Sequence, residues 1–281
     1  MHAVKRKLKQ LFHIKSDHPV ETDQSILLME AGERYCCFGI LDKSTRELTE
    51  YAYYIAHKSE EELMSEIFVE HSVLNDAFKQ YAVNFSNAEC ILVPESHYKF
   101  EDEKLHLRVI YGINDKSIVK SSHIHQWKLH SVFRIPQYLH ELLSHKFGEG
   151  KSWHNYSVQL KSIPEEEVDT LLVDFRTDEI SVIVLKKNIL QLAQTFTYAV
   201  PADVLYYLLK ICGQFSLSQQ DVKVELSGLI EKDSAIYREL YKYFLHLNFA
   251  LIPGEIKLDI AFSEFPAHYF SSICKLATCV S

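Results

Sequence analysis

Two stretches of this chain are built to one plan, and that duplication restricts the fold more than any other feature. "SILLMEAGERYCCFGILDKSTRELTEYAYYIA" spans 25–56, and "TLLVDFRTDEISVIVLKKNILQLAQTFTYAV" spans 170–200. Each opens with an apolar strand, Ile26–Met29 or Leu171–Val173. Each turns through charged residues, returns, and turns again at Lys43–Glu47 or Lys186–Asn188 into an aromatic-rich third strand. Strands of this length joined by short polar turns predict a three-stranded antiparallel meander in each half.

The segments after the two meanders also match. Ser59 and Glu62 have capping-box spacing ahead of Leu63, Ile67, Leu74 and Phe78, which fall on one helical face. In the second half Pro201 suits a first helical position before the stripe Val204, Leu205, Leu208, Ile211, Cys212 and Phe215. A strand is then expected at 88–94 and at 222–228, and a helix at 101–111 and at 234–247. The first half closes with a strand at 127–133 and a stripe of Ile135, Leu139, Leu142 and Leu143. The second closes with a strand at 248–253 and a helix over His268–Cys279. Meanders followed by helix–strand alternation predict mixed sheets covered by helices.

Two β-β-β-α-β-α-β-α halves resemble the actin/Hsp70/sugar-kinase superfamily, whose lobes are ribonuclease H-like. The fold class expected is therefore α/β, with duplicated actin-like lobes and mixed sheets. In detail "LQLAQTFTY", "DVLYYLL" and "VELSGLIEKDSAIYREL" resemble the bacterial domain-of-unknown-function family 3822, which has an actin-like ATPase fold. The scaffolds PilM and the cytoplasmic part of GspL are more distant likenesses. The expected division is a basic segment at 1–23, a first lobe at 24–150, a linker or extra strand at 151–169 and a second lobe at 170–281.

The resemblance implies an ATP site in a cleft between the lobes. Active members place Asp-x-Gly with further Gly, Thr or Ser in both first hairpins. Backbone N–H groups there hold phosphate, and the Asp organises Mg²⁺. Here the first hairpin reads Met29–Glu30–Ala31–Gly32–Glu33–Arg34, with carboxylates flanking the surviving glycine. The second reads Asp174–Phe175–Arg176–Thr177–Asp178–Glu179, so the Asp matches and the glycines do not. Of an adenosine-binding Gly-Gly element only Gly228 stands. If nucleotide bound, Gly32, Asp174, Thr177 and Gly228 would bind it, and Asp174 would be the catalytic residue. Added carboxylates repel a triphosphate unless Mg²⁺ intervenes, though Arg34 or Arg176 would compensate in part. Asp174 reads as a structural turn residue, its side chain bonding nearby backbone N–H groups.

Composition agrees. Eight Gly among 281 residues are few for phosphate loops. A net charge of −8 argues against nucleic acid. The six Cys form no C-x-x-C pair, which suits a reducing cytoplasm. In "MHAVKRKLKQLFHIK", Val4, Leu8, Leu11 and Phe12 share a helical face among basic residues. That pattern reads as a short helix, dispensable for folding, with peripheral membrane contact through residues 1–15 as the alternative.

Other signals are weaker. "GEGKS" at 148–152 lacks the P-loop's first glycine, since His145 stands there, and Gly148 reads as a helix C-cap. His123 and His125 fit one face of a half-exposed strand better than a metal pair, and no metal site is expected. "PEEEVD" at 164–169 reads as a solvated linker, and "HNYSVQLKSI" at 154–163 alternates like an edge strand. The reading is a cytoplasmic scaffold with an unknown protein partner, eroded phosphate loops and no cofactor. The alternatives are an ATP- and Mg-dependent switch and, for assembly, a homodimer.

Overall fold

The computed structural model describes residues 9–55, 60–148, 150–164 and 166–280. They form two compact units. The first takes the described residues up to Lys161, Gly254–Ser263 and those from Leu276, and the second takes Ser162–Pro253 and Glu264–Lys275.

The first unit opens with β1 (Lys9–Lys15), followed by the meander β2 (Ser25–Gly32), β3 (Tyr35–Asp42) and β4 (Glu47–Ile55). Then come α1 (Glu60–Glu70), β5 (Tyr81–Ser86), β6 (Cys90–Pro94), α2 (Glu103–Tyr111), β7 (Ser117–Ile124) and β8 (Leu129–Pro136). The run ends with α3 (Gln137–Phe147), β9 (Lys151–His154) and α4 (Asn155–Lys161). The main sheet runs β1-β4-β3-β2-β5-β9, and β6-β8-β7 form a separate three-stranded sheet. All eight residues of β2 are buried, as befits a central strand covered on both faces.

The second unit repeats the plan with β10 (Thr170–Phe175), β11 (Glu179–Lys186) and β12 (Ile189–Thr197). These lead to α5 (Pro201–Phe215), β13 (Lys223–Gly228), α6 (Ala235–Tyr241) and β14 (His246–Phe249), in sheet order β12-β11-β10-β13-β14. Both sheets are mixed: β2 and β10 pair antiparallel with the next strand and parallel with β5 and β13. Both meanders shift register at matching places, after Ile40 and after Val184. The turn into β12 works because Lys187 and Asn188 take φ of 48° and 58°, the left-handed pair that a two-residue hairpin needs. Pro201 begins α5, and Val204, Leu208, Ile211 and Cys212 enter the core, the larger side chains contributing about 1.5–3 kcal/mol each. Late in the chain, β15 (Lys257–Leu258) pairs with β4 as the seventh strand of the first unit's main sheet, and α7 (Ser271–Thr278) follows.

Several expectations fail for identifiable reasons. Residues 9–15 are a strand on β4 rather than a helix. Ile14 is buried and the Phe12 ring lies 5.7 Å from both Tyr51 and Tyr53, so this segment belongs to the sheet. Val4, Leu8 and Ser59 lie outside the described residues. The parallel neighbour of β2 is β5, a strand that the sequence pattern does not announce, whereas the expected strand at 88–94 supplies β6 of the small sheet. Residues 155–161 are helical: Tyr156, Val158 and Leu160 are buried, but so are Ser157 and Gln159, so the alternation marked no exposed face. Leu74 and Phe78 are buried beyond the end of α1, and Leu247 lies in β14. Gly148 does cap α3, with φ 77°.

Candidate functional site

The tips of the two first hairpins carry the residues that the resemblance singles out, and register identifies their equivalents. In the first unit Glu30 stands opposite Cys37 on β3 and Asn84 on β5. In the second, Asp174 stands opposite Ser181 on β11 and Ser227 on β13. Each central strand thus carries one buried carboxylate near its C-terminal end.

Asp174 is ion-paired. Its Oδ2 lies 2.6 Å from Arg176 Nη1, with both side chains 5% exposed, and its Oδ1 accepts from the Ser227 hydroxyl at 2.7 Å. The same guanidinium donates to the Phe175 carbonyl at 3.2 Å. Lys275 is buried nearby. Burial pushes its ammonium pKa down, while Glu225 and Asp174 act in the opposite sense. Gly228, at φ 75°, lies so close to the end of β10 that an added Cβ would sit 2.1 Å from the Phe175 carbonyl oxygen and 3.0 Å from Arg176 Nη1. Thr177 is exposed at the tip, and its carbonyl accepts from Tyr198 at 3.4 Å.

Glu30 accepts from two neutral donors. Its Oε1 accepts from the Tyr35 hydroxyl at 2.5 Å and its Oε2 from the Asn84 amide at 3.0 Å. Asn84 also reaches Asn155 Oδ1 at 3.3 Å. The Tyr35 ring lies on Gly32, where an added Cβ would meet it at 2.2 Å, and it stacks on Tyr53 at 5.3 Å. Gly32 therefore serves an aromatic side chain of its own hairpin. Beside this tip a cleft of about 430 Å³ opens within the first unit, lined by Glu33, Asn87, Glu89, Lys116, Arg134 and Tyr138 among others. Arg134 is fixed there by Glu89 at 3.2 Å and by the Gly112 carbonyl at 2.6 Å.

The structure thus brings Asp174 and Gly228 together, adds Arg176 and Ser227 to them, and leaves Thr177 at the surface. Glu30, Tyr35 and Asn84 were missed as a group. Superposing the two repeats by strand register, rather than by glycine, would have put Glu30 over Asp174.

The architecture is that of an actin-like ATPase fold. A protein of unknown function with that fold from Bacteroides thetaiotaomicron VPI-5482 matches with a TM-score of 0.75 at 17% identity, over 92% of this chain and 97% of its own. A chain of the PilM–PilN type IV pilus biogenesis complex matches with a TM-score of 0.63 at 12% identity, over 93% of this chain and 99% of its own. Within that class the chain belongs to the family described as protein of unknown function DUF3822, whose model matches residues 15–247. Among curated proteins none matches the chain. No helix among the described residues is long and apolar enough to cross a membrane.

Proposed function

We propose that the protein is a cytoplasmic, non-catalytic interaction module that uses the actin-like fold to hold a protein partner. The observation that carries this reading is the buried Asp174–Arg176 pair. A carboxylate that organises Mg²⁺ must offer its lone pairs to a hydrated cation. Asp174 instead meets a guanidinium, whose planar fork matches a carboxylate and stays charged at any physiological pH. Tyr35 supports the same reading, since its ring occupies the space above Gly32 that a phosphate would need. A fold neighbour found in a two-protein complex, PilM with PilN, is consistent with a partner-holding role.

Calorimetric titration with ATP and Mg²⁺ tests the proposal. The expected result is no saturable binding by the parent chain. Micromolar binding that disappears in Asp174→Asn would overturn it in favour of the ATP switch.

A further inference from the structure

Strand β1, strand β4 and the residue after α1 converge on a second polar cluster, remote in sequence from both hairpin tips. His13, Glu50 and His71 each present a ligand atom, and these atoms lie within 4.8 Å of one another. Among the described residues this is the grouping of His, Cys, Asp and Glu that could hold a metal; His123 and His125 do not form one.

The hydrogen bonding around His71 fixes which nitrogen faces the cluster. The Tyr54 hydroxyl donates to Gln10 Oε1 at 3.0 Å, so its oxygen is left to accept from His71 Nε2, with which it makes a short hydrogen bond. Nε2 then carries the proton, and Nδ1 carries the lone pair. That Nδ1 faces Glu50 Oε1 at 3.9 Å, so one acceptor looks at another inside the protein. Glu50 is 1% exposed, and its Oε2 has no hydrogen-bond partner among the described residues; Lys15 Nζ stands 3.7 Å from it, beyond hydrogen-bonding range. His13 Nε2 approaches Oε1 at 2.8 Å from the solvent side, with its side chain 27% exposed.

We propose that His13, Glu50 and His71 bind a divalent transition-metal ion of the zinc class, leaving a fourth position open toward solvent. Two imidazoles and one carboxylate are a zinc ligand set, at metal–ligand distances of about 2.0–2.2 Å. Tetrahedral ligands at that radius are roughly 3.4 Å apart. The observed separations of 2.8 Å and 3.9 Å bracket this value, so small side-chain movements suffice. The ion takes the place of the proton shared by His13 and Glu50, and that proton leaves to solvent or to His13 Nδ1. Tyr54 and Gln10 then act as the outer shell that orients His71, a common support for metal-bound histidine. Mg²⁺ and Ca²⁺, which prefer all-oxygen sites, fit poorly. The bound ion would tie β1 to β4 and to the end of α1.

The test uses untagged, metal-stripped protein titrated with Zn²⁺ by calorimetry and with Co²⁺ by visible absorption. The expected result is saturable binding of one ion per chain, an intense tetrahedral Co²⁺ spectrum and a raised Tm. His13→Ala, at a partly exposed position, should keep the fold but weaken binding about 100-fold or more. Lys15→Ala should bind at least as tightly as the parent, because it removes the competing cation. Absence of saturable Zn²⁺ binding below millimolar concentration would overturn the proposal. So would equal affinity in the parent and His13→Ala, which would assign the cluster to an ion pair alone.

Discussion

Glu30 and Asp174 occupy equivalent places in the two hairpins, yet the chain satisfies them differently. Glu30 accepts hydrogen bonds from a phenol and an amide, whereas Asp174 meets a guanidinium and a hydroxyl. A buried carboxylate tolerates either solution if every lone pair that matters is met. The difference lies in what happens when a partner is lost. Removing a neutral donor forfeits one hydrogen bond, whereas removing the guanidinium paired with Asp174 strips a buried carboxylate of its hydrogen-bonded cation.

The largest effect should come from Arg176→Ala. Breaking a buried pair on one side costs about 3–5 kcal/mol, so urea unfolding should show a much lower midpoint. The double change Asp174→Asn with Arg176→Met should recover most of that loss, because neither a charge nor its partner remains. If the single and double variants are equally unstable, the pair is not what holds the second hairpin.

The next largest effect is one of acidity, and it belongs to the first unit. His154 is fully buried. Its Nε2 meets the Asn87 carbonyl at 2.9 Å and its Nδ1 accepts from the Tyr156 N–H at 3.2 Å, an arrangement that requires the neutral ring. Burial lowers its pKa to about 4 from an ordinary 6.5. The unfolded chain therefore takes up a proton before the folded one does. Stability contributed by the neutral ring is present above pH 6.5 and is lost as the pH falls toward 4, by roughly 3 kcal/mol. Denaturation curves between pH 7 and pH 4 should show this slope, and His154→Asn should flatten it.

Tyr35→Phe should do least. It removes one donor to Glu30 while keeping the ring on Gly32, at a cost of about 2 kcal/mol. Thermal unfolding that places Tyr35→Phe level with Arg176→Ala would erase the contrast between the two hairpins.

Much of the fold was legible in the sequence. The meanders are short strands with polar turns, and α5 has both a starting proline and a wide apolar stripe. The missed elements share a physical cause. In β5 the central Asn84 looks like a breaker of the apolar run, but it is buried because Glu30 needs its amide. In α4 both phases of the alternation are buried, so periodicity says nothing about exposure. In β1 the spacing of Leu11 and Phe12 suits a helix, and only the aromatic face of β4 makes a strand the better solution. At the candidate site, Asp174 and Gly228 were legible as remnants of a pattern. The Arg176 ion pair was not, since a charged residue at a loop tip more often faces water. His13, Glu50 and His71 have no motif spacing, and only the sheet brings them together.

Strand β15 has a consequence for the order of events during synthesis. Lys257 and Leu258 add to β4, and the Ser16 hydroxyl donates to Asp259 Oδ2 at 2.9 Å, so the first unit draws on residues that leave the ribosome after all of β10–β14. A nascent chain can assemble the meander β2–β4 early, but it cannot finish the first unit until most of the second has been translated. Pulse-labelled protease protection should therefore show the second unit's meander and its β13 neighbour becoming resistant before the Glu47–Leu48 edge of β4, which β15 covers last.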